Sequence, residues 1–292
     1  MSAVIGHYVK LTKPTVMSLV VFTGAVALLV EGSLISQPLK LLLVLTALYL
    51  TGGSANALNQ YFERDIDRRM RRTAGRRPLP RGELTPTQAL VFSIAIGLLG
   101  VVLFATVFNW LAAGLALVTL LFYSLFYTLW LKPHTPQNIV IGGAAGAMAP
   151  VGAWAAATGQ MPAVPWIMFL IVLIWTPPHF WALALFCRDD YVKAKLPMMP
   201  VVKGERATAD QIVRYTVALV LVSLSLVFFG SGWLYLVSAA ALGAQFIRKS
   251  LRARRELSER SYRALFGYSI VYLFLLFTAM VVDSYVTRWL AG

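Results

Sequence analysis

Asn59, Glu63 and Asp67 recur every four residues in Asn56-Ala-Leu-Asn59-Gln-Tyr-Phe-Glu63-Arg-Asp65-Ile-Asp67-Arg-Arg-Met-Arg71-Arg72, a stretch that directly follows an apolar run. Four helical steps turn through about 400°, so the three side chains form one slowly drifting row on a single helix face. Ionisable groups at the end of a membrane span are costly and point to function by default. Asp65 lies about 200° round from Glu63 and faces away, where Arg69, four residues on, is its expected partner.

Two further constellations carry polar groups beside apolar runs. In Tyr123-Ser-Leu-Phe-Tyr127-Thr-Leu-Trp-Leu-Lys132-Pro-His134, Tyr127 and Lys132 border one polar pocket and could hold phosphate oxygens. A lysine at a helix end also snorkels to headgroups without any ligand. Gly142, Gly143 and Gly146 follow and permit close helix approach. In Trp175-Thr-Pro177-Pro178-His179-Phe-Trp181, the paired prolines are expected to break or kink the helix. Asp189 can pair with Lys193 four residues on, whereas position 194 is Ala and leaves Asp190 freer to bind a cation. Acidic positions on two separate loops suit Mg2+, which shares its oxygen ligands with substrate phosphates rather than sitting in a closed protein cage.

These groups need a scaffold, and composition says which. The chain has 292 residues, 59% hydrophobic and 13% charged, with a mean hydropathy of +0.71. That balance indicates an all-α polytopic membrane protein, a single transmembrane domain over residues 1–292. Nine apolar runs, each long enough to cross a core of ~30 Å, begin near Thr15, Leu39, Gln88, Trp110, Asn138, Val164, Gln211, Gly232 and Ala264. Helices are implied because lipid cannot satisfy open backbone groups.

The net charge of +14 follows the membrane periodicity instead of forming one stripe. Arginines and lysines crowd the loops between runs two and three, six and seven, and eight and nine, with Lys10, Lys13 and Lys132 on the same side. The positive-inside rule then puts the N-terminus in the cytoplasm and the C-terminus outside. Nucleic acid is excluded as a partner because no aromatic-interleaved basic module accompanies the charge. Met1-Ser-Ala-Val-Ile-Gly-His7 lacks the basic region of a signal peptide, and a bacterial inner membrane is the expected location. One cysteine, Cys187, and three unspaced histidines rule out a disulfide within the chain and a His/Cys zinc site.

Asn59 through Asp67 resembles the NxxxDxxxD motif of the intramembrane aromatic prenyltransferases, the UbiA-like superfamily. Met70-Arg-Arg-Thr73, Arg77-Pro-Leu-Pro80, Asn138-Ile-Val-Ile-Gly-Gly143, Asp190-Tyr191, Pro197-Met-Met-Pro200 and Lys13-Pro14 are similar, more narrowly, to the protoheme IX farnesyltransferases of the heme branch. Glu63 departs from the usual Asp but keeps the carboxylate, and the second motif offers one carboxylate where quinone-branch members have two. The resemblance implies a nine-helix bundle around a central cavity opening to the cytoplasmic side. It implies farnesyl diphosphate and heme B as substrates, and heme O as product. A heme A synthase or a terminal oxidase assembly would be the neighbouring partner in the bilayer. On this reading Asn59, Glu63, Asp67 and Asp190 hold Mg2+ and the diphosphate. Lys13, Arg76, Arg77, Lys132, Lys193 and Lys195 contact phosphate, Tyr127 sits near the allylic end, and His179 and His134 meet the heme.

Two other readings fit less of the pattern. A prenyltransferase acting on a quinone precursor would share the first motif. A secondary transporter would also be polytopic and basic inside, but its polar site belongs near the midplane, whereas this polar row sits at a helix end.

Overall fold

The computed structural model describes residues 2–291, with side chains from 4 to 290, and contains helices and no strand among them. Nine long helices carry the fold: α1 Pro14–Glu31, α2 Pro38–Phe62, α3 Pro86–Phe108, α4 Trp110–His134, α5 Asn138–Thr158, α6 Ala163–Phe186, α7 Gly204–Phe229, α8 Trp233–Glu256 and α9 Glu259–Ala291. Eight are long and apolar enough to cross a membrane. The other, α8, is apolar as far as Ile247 and then carries Arg248, Lys249, Arg252, Arg254 and Arg255. Helices α7 and α9 begin several residues before the apolar runs at Gln211 and Ala264, because their polar first turns are helical too.

Local sequence sets the helix ends. Proline opens α1, α2 and α3, where its missing N–H costs nothing and its fixed φ is already helical. Thr85 and Gln88 form a reciprocal capping box at the start of α3. Asn109, in extended backbone, accepts from the Ala112 N–H at 2.9 Å and donates to the Ala155 carbonyl at 2.8 Å, so the turn between α3 and α4 is also tied to α5. The prolines at 177 and 178 do not break α6, which runs unbroken from Ala163 to Phe186. Tight packing on both sides holds it, for Pro177, Pro178 and most of their neighbours in the helix are buried. Two stretches, Phe104–Phe108 in α3 and Phe122–Leu131 in α4, are wound as π-helix, a widening frequent at functional sites.

Each helix packs on the next in sequence, and α9 returns to α1, so the nine form a closed ring with further contacts between α1 and α5, between α2 and α4 and between α6 and α9. Phe22 of α1 stacks on Phe274 of α9 at 4.9 Å. Near the same seam Arg288 of α9 donates to the carbonyls of Val30 and Glu31 at the end of α1. The basic loops gather at the opposite end. There Lys13 meets Asn59, Glu63 meets Lys132, the Arg71 and Arg72 amides meet Asp190, and Glu205 meets Tyr262. The alternation of strongly basic and weakly charged loops thus corresponds to two real ends of one bundle.

Candidate functional site

The polar row survives folding, with a change in its carrier. Helix α2 ends at Phe62, Glu63 occupies its C-cap, and Arg64–Asp67 form a separate short helix. The four-residue ladder still continues across the break, since the Glu63 N–H reaches Asn59 O at 2.9 Å and the Asp67 N–H reaches Glu63 O at 2.8 Å. Asn59, Glu63 and Asp67 are therefore buried on one side at 1%, 3% and 2% exposure. Asp65 faces solvent as expected, but its partner is Arg68 at 3.2 Å and not Arg69. Beyond the end of α2 the backbone no longer follows one continuous helix, and the three-residue spacing brings the guanidinium closer.

Three cations cover the row. Lys13, at the start of α1, donates to Asn59 Oδ1 at 2.7 Å. Lys132, in the last turn of α4, donates to Glu63 Oε1 at 2.5 Å. Arg77 bonds to Asp67 Oδ2 and lies 3.8 Å from Glu63 Oε2. Burial opposes the charge on Glu63, yet the nearby Lys132, Lys13 and Arg77 outweigh it and hold its carboxyl below the ordinary carboxylate range. Burial, reinforced by the positive Arg77, pushes the Lys13 ammonium well below its usual value, while the neighbouring Glu63 and Asp67 favour its charged form. Folding brings Arg77 here through a compact loop: Thr73 donates to the Asp67 carbonyl at 2.8 Å and its own carbonyl accepts from the Arg77 N–H at 3.0 Å.

The remaining expected residues divide. Tyr127 is buried, stacks on Tyr123 at 5.1 Å, and lies so close to α5 that a Cβ on Gly142 would clash with its ring. Glycine at 142 is what lets that ring sit between the helices. Arg76, Lys193 and Lys195 are exposed and make no hydrogen bond or ion pair with the row. Asp190 is engaged elsewhere: its two carboxylate oxygens accept from the Arg71 and Arg72 N–H groups at 3.4 and 3.1 Å. It thereby fastens the Arg188–Lys193 helix to the turn that leads to Arg77. His134 is exposed beside Trp130, with Nδ1 2.7 Å from the Trp130 carbonyl. His179 is buried between the rings of Trp175 and Phe266, at 4.3 and 4.5 Å, with Nδ1 2.7 Å from Ser269 Oγ.

Thr128, Tyr123, Asn56 and Arg72 are the residues that sequence reasoning left out. Asn59 Nδ2 donates to Thr128 Oγ1 at 3.1 Å, and Thr128 stands four residues before Lys132, a spacing that could have drawn attention to it. Tyr123 and Asn56 line the end nearest the polar row of an apolar cleft of about 750 Å³ with its open side included, lined also by Val16, Met17, Leu48 and Phe104. Asn56 is one turn from Asn59, so the cleft continues inward from the polar row. Arg72 reaches the Tyr191 hydroxyl at 3.4 Å, a contact that nothing in the run of basic residues around it singles out.

The donors fit a hard divalent cation. Two carboxylates and an amide oxygen converge, while no cluster of three His, Cys, Asp or Glu able to close a cage occurs among the described residues. Such a set leaves most of the shell to phosphate and water, which is how Mg2+ binds at phosphate sites. The arrangement can hold a diphosphate under cations at the mouth of a dry, uncharged cleft.

Comparison with known proteins agrees with this geometry. A model of the UbiA prenyltransferase family matches residues 19–281. Protoheme IX farnesyltransferase from Rhodopseudomonas palustris is 47% identical over 96% of this chain and 90% of its own length, and that from Picosynechococcus is 46% identical over 97% and 90%. Among solved structures, one of a digeranylgeranylglyceryl phosphate synthase shares the fold at a TM-score of 0.79, covering 97% of this chain and 99% of its own, with 21% identity. A UbiA homologue from Archaeoglobus fulgidus bound to GPP and Mg2+ aligns at 0.65 and 16% identity over 94% of this chain and 99% of its own. With a polar row at a helix end, an apolar cleft behind it and a family match over most of its length, the chain belongs to the UbiA prenyltransferase family.

Proposed function

We propose that this protein transfers the farnesyl group of farnesyl diphosphate to a vinyl group of protoheme IX, with addition of water, to give heme O. The observation that carries the reading is the buried Asn59–Glu63–Asp67 row, held under Lys13, Arg77 and Lys132 where the apolar cleft begins. The kinship with protoheme IX farnesyltransferases at 46–47% identity supports the heme acceptor.

Atoms balance as follows. The C1–O bond of the donor breaks and its electrons leave with diphosphate; C1 bonds to one vinyl carbon, and a water oxygen bonds to the other and releases a proton. Lys132, Lys13 and Arg77 neutralise charge that grows on the departing diphosphate, so they act more strongly in the transition state than before it. Mg2+, held by Glu63, Asp67 and Asn59, would supply further Lewis-acid stabilisation of that leaving group. The apolar walls keep water from the allylic carbon while it is electron-poor. Asp190 supports the site through the Arg71–Ala74 turn. Arg76, Lys193 and Lys195 extend the positive rim from the surface, and Tyr127, stacked on the cleft-lining Tyr123, is assigned to the allylic end of the donor. His179 and His134 are assigned to the heme side.

The expected setting is a bacterial inner membrane, with the basic end and N-terminus in the cytoplasm, the C-terminus outside, and a heme A synthase or terminal oxidase assembly receiving the product. Membranes containing the protein, supplied with protoheme IX, farnesyl diphosphate and Mg2+, should yield a more apolar heme whose mass equals heme O. A prenylated benzoate or naphthoate in place of that heme would transfer the reading to the quinone branch.

A further inference from the structure

We infer that Phe104 sets the length of prenyl chain this protein accepts, by closing the far end of the cleft that Gly152 keeps open; the inference rests on the prenyl-donor reading above. The cleft has a direction. On α4 its walls run from Tyr123, beside the polar row, to Ala112, near the opposite end of the helix. The eleven steps between them span about 16 Å at 1.5 Å per residue. No charged side chain lines it, which suits an uncharged isoprenoid.

Phe104 stands where the cleft stops. It opens the π-wound end of α3, is 1% exposed, and packs toward Phe108 at 6.2 Å between ring centroids. Across from it α5 contributes Gly152, which differs from a glycine used for packing. A Cβ there would meet only Leu48 Cδ2 at 3.9 Å. By contrast, a Cβ on Gly52 would stand 2.7 Å from Met17 Cε, so that glycine serves helix contact. Gly152 is half-buried and lines the cleft, so it fronts open space in the bore. Bulk added there narrows the bore, and bulk removed at 104 lengthens it.

The test measures kcat/KM for geranyl, farnesyl and geranylgeranyl diphosphates with protoheme IX, using full-length protein in membranes. Phe104→Ala should raise the geranylgeranyl-to-farnesyl ratio by roughly tenfold or more, since a single methylene in an apolar pocket already discriminates by that factor. Gly152→Leu should move preference the other way, toward geranyl. If the native protein prenylates heme and neither variant shifts these ratios, the inference is wrong. If the native protein prenylates no heme with any donor, the function proposed above fails, and the inference with it. Should Phe104→Ala not accumulate in membranes, Gly152→Leu decides alone, because its side chain enters space that is already open.

Discussion

Lys132 donates to Glu63 although 69 residues separate them in sequence. The contact joins the end of α4 to the end of α2, and it puts a cation on a carboxylate whose charge burial opposes. Glu63→Gln and Asp67→Asn should each lower turnover by on the order of 10²-fold or more with the protein still folded and inserted. Asp65→Asn, on the exposed side, should fall within a few-fold of native. A turnover assay in which Asp65→Asn is the worst of the three would contradict the buried-face geometry.

Arg77 and Arg76 are adjacent in sequence but not in role. Arg77 bridges Asp67 and Glu63, and Arg76 is exposed. Arg77→Gln should reduce both affinity for farnesyl diphosphate and kcat, because a cation at a departing diphosphate matters most late in the reaction. Arg76→Gln should leave kcat within about twofold of native. Steady-state kinetics on the pair will show whether the two arginines are interchangeable.

His179 is stacked between two aromatic rings and hydrogen-bonded to Ser269. Removing that ring leaves a cavity among α6 and α9, and His179→Ala should cost about 2–5 kcal/mol of stability, visible as a lower melting temperature in detergent. The heme assignment predicts in addition weaker use of protoheme IX with farnesyl diphosphate affinity nearly unchanged. A variant that melts like native and uses heme like native would remove His179 from both accounts.

Cysteine labelling tests the placement in the bilayer. Ala74, Lys203 and Arg254 should react from the cytoplasm, and Gln37 and Gly159 from the other side. One loop reporting from the wrong compartment would place the Asn59 row and the Asp190 segment on opposite faces, against the bonds that join them.

Much of this site could be read from spacing. A period of four marked Asn59, Glu63 and Asp67, and the same period set Asp65 apart. The helix starts at Pro14, Pro38, Trp110 and Asn138 fell at or next to the expected positions because proline or asparagine signals coincide with the onset of apolar runs. What stayed hidden depends on chain folding at long range. Nothing local distinguishes Arg77 from Arg76; the Thr73 bond to the Asp67 carbonyl does. Nothing local shows that Asp190, unpaired along its own helix, finds two amides 118 and 119 residues away. Likewise the uninterrupted course of α6 through Pro177 and Pro178 is decided by neighbouring helices, which the dipeptide does not reveal.

The seam where Arg288 grips the end of α1 bears on how the protein is made. Its first and last long helices are neighbours, so during synthesis the ring stays open until the final segment has left the ribosome and entered the bilayer. The bonds that hold Asn59, Glu63 and Asp67 come from α1, α2, α4 and the loop before α3, all in the N-terminal half. The polar row can thus assemble early in translation, while the last helix supplies the closing wall. A chain halted before α9 would carry an ordered polar row in a barrel with one stave missing.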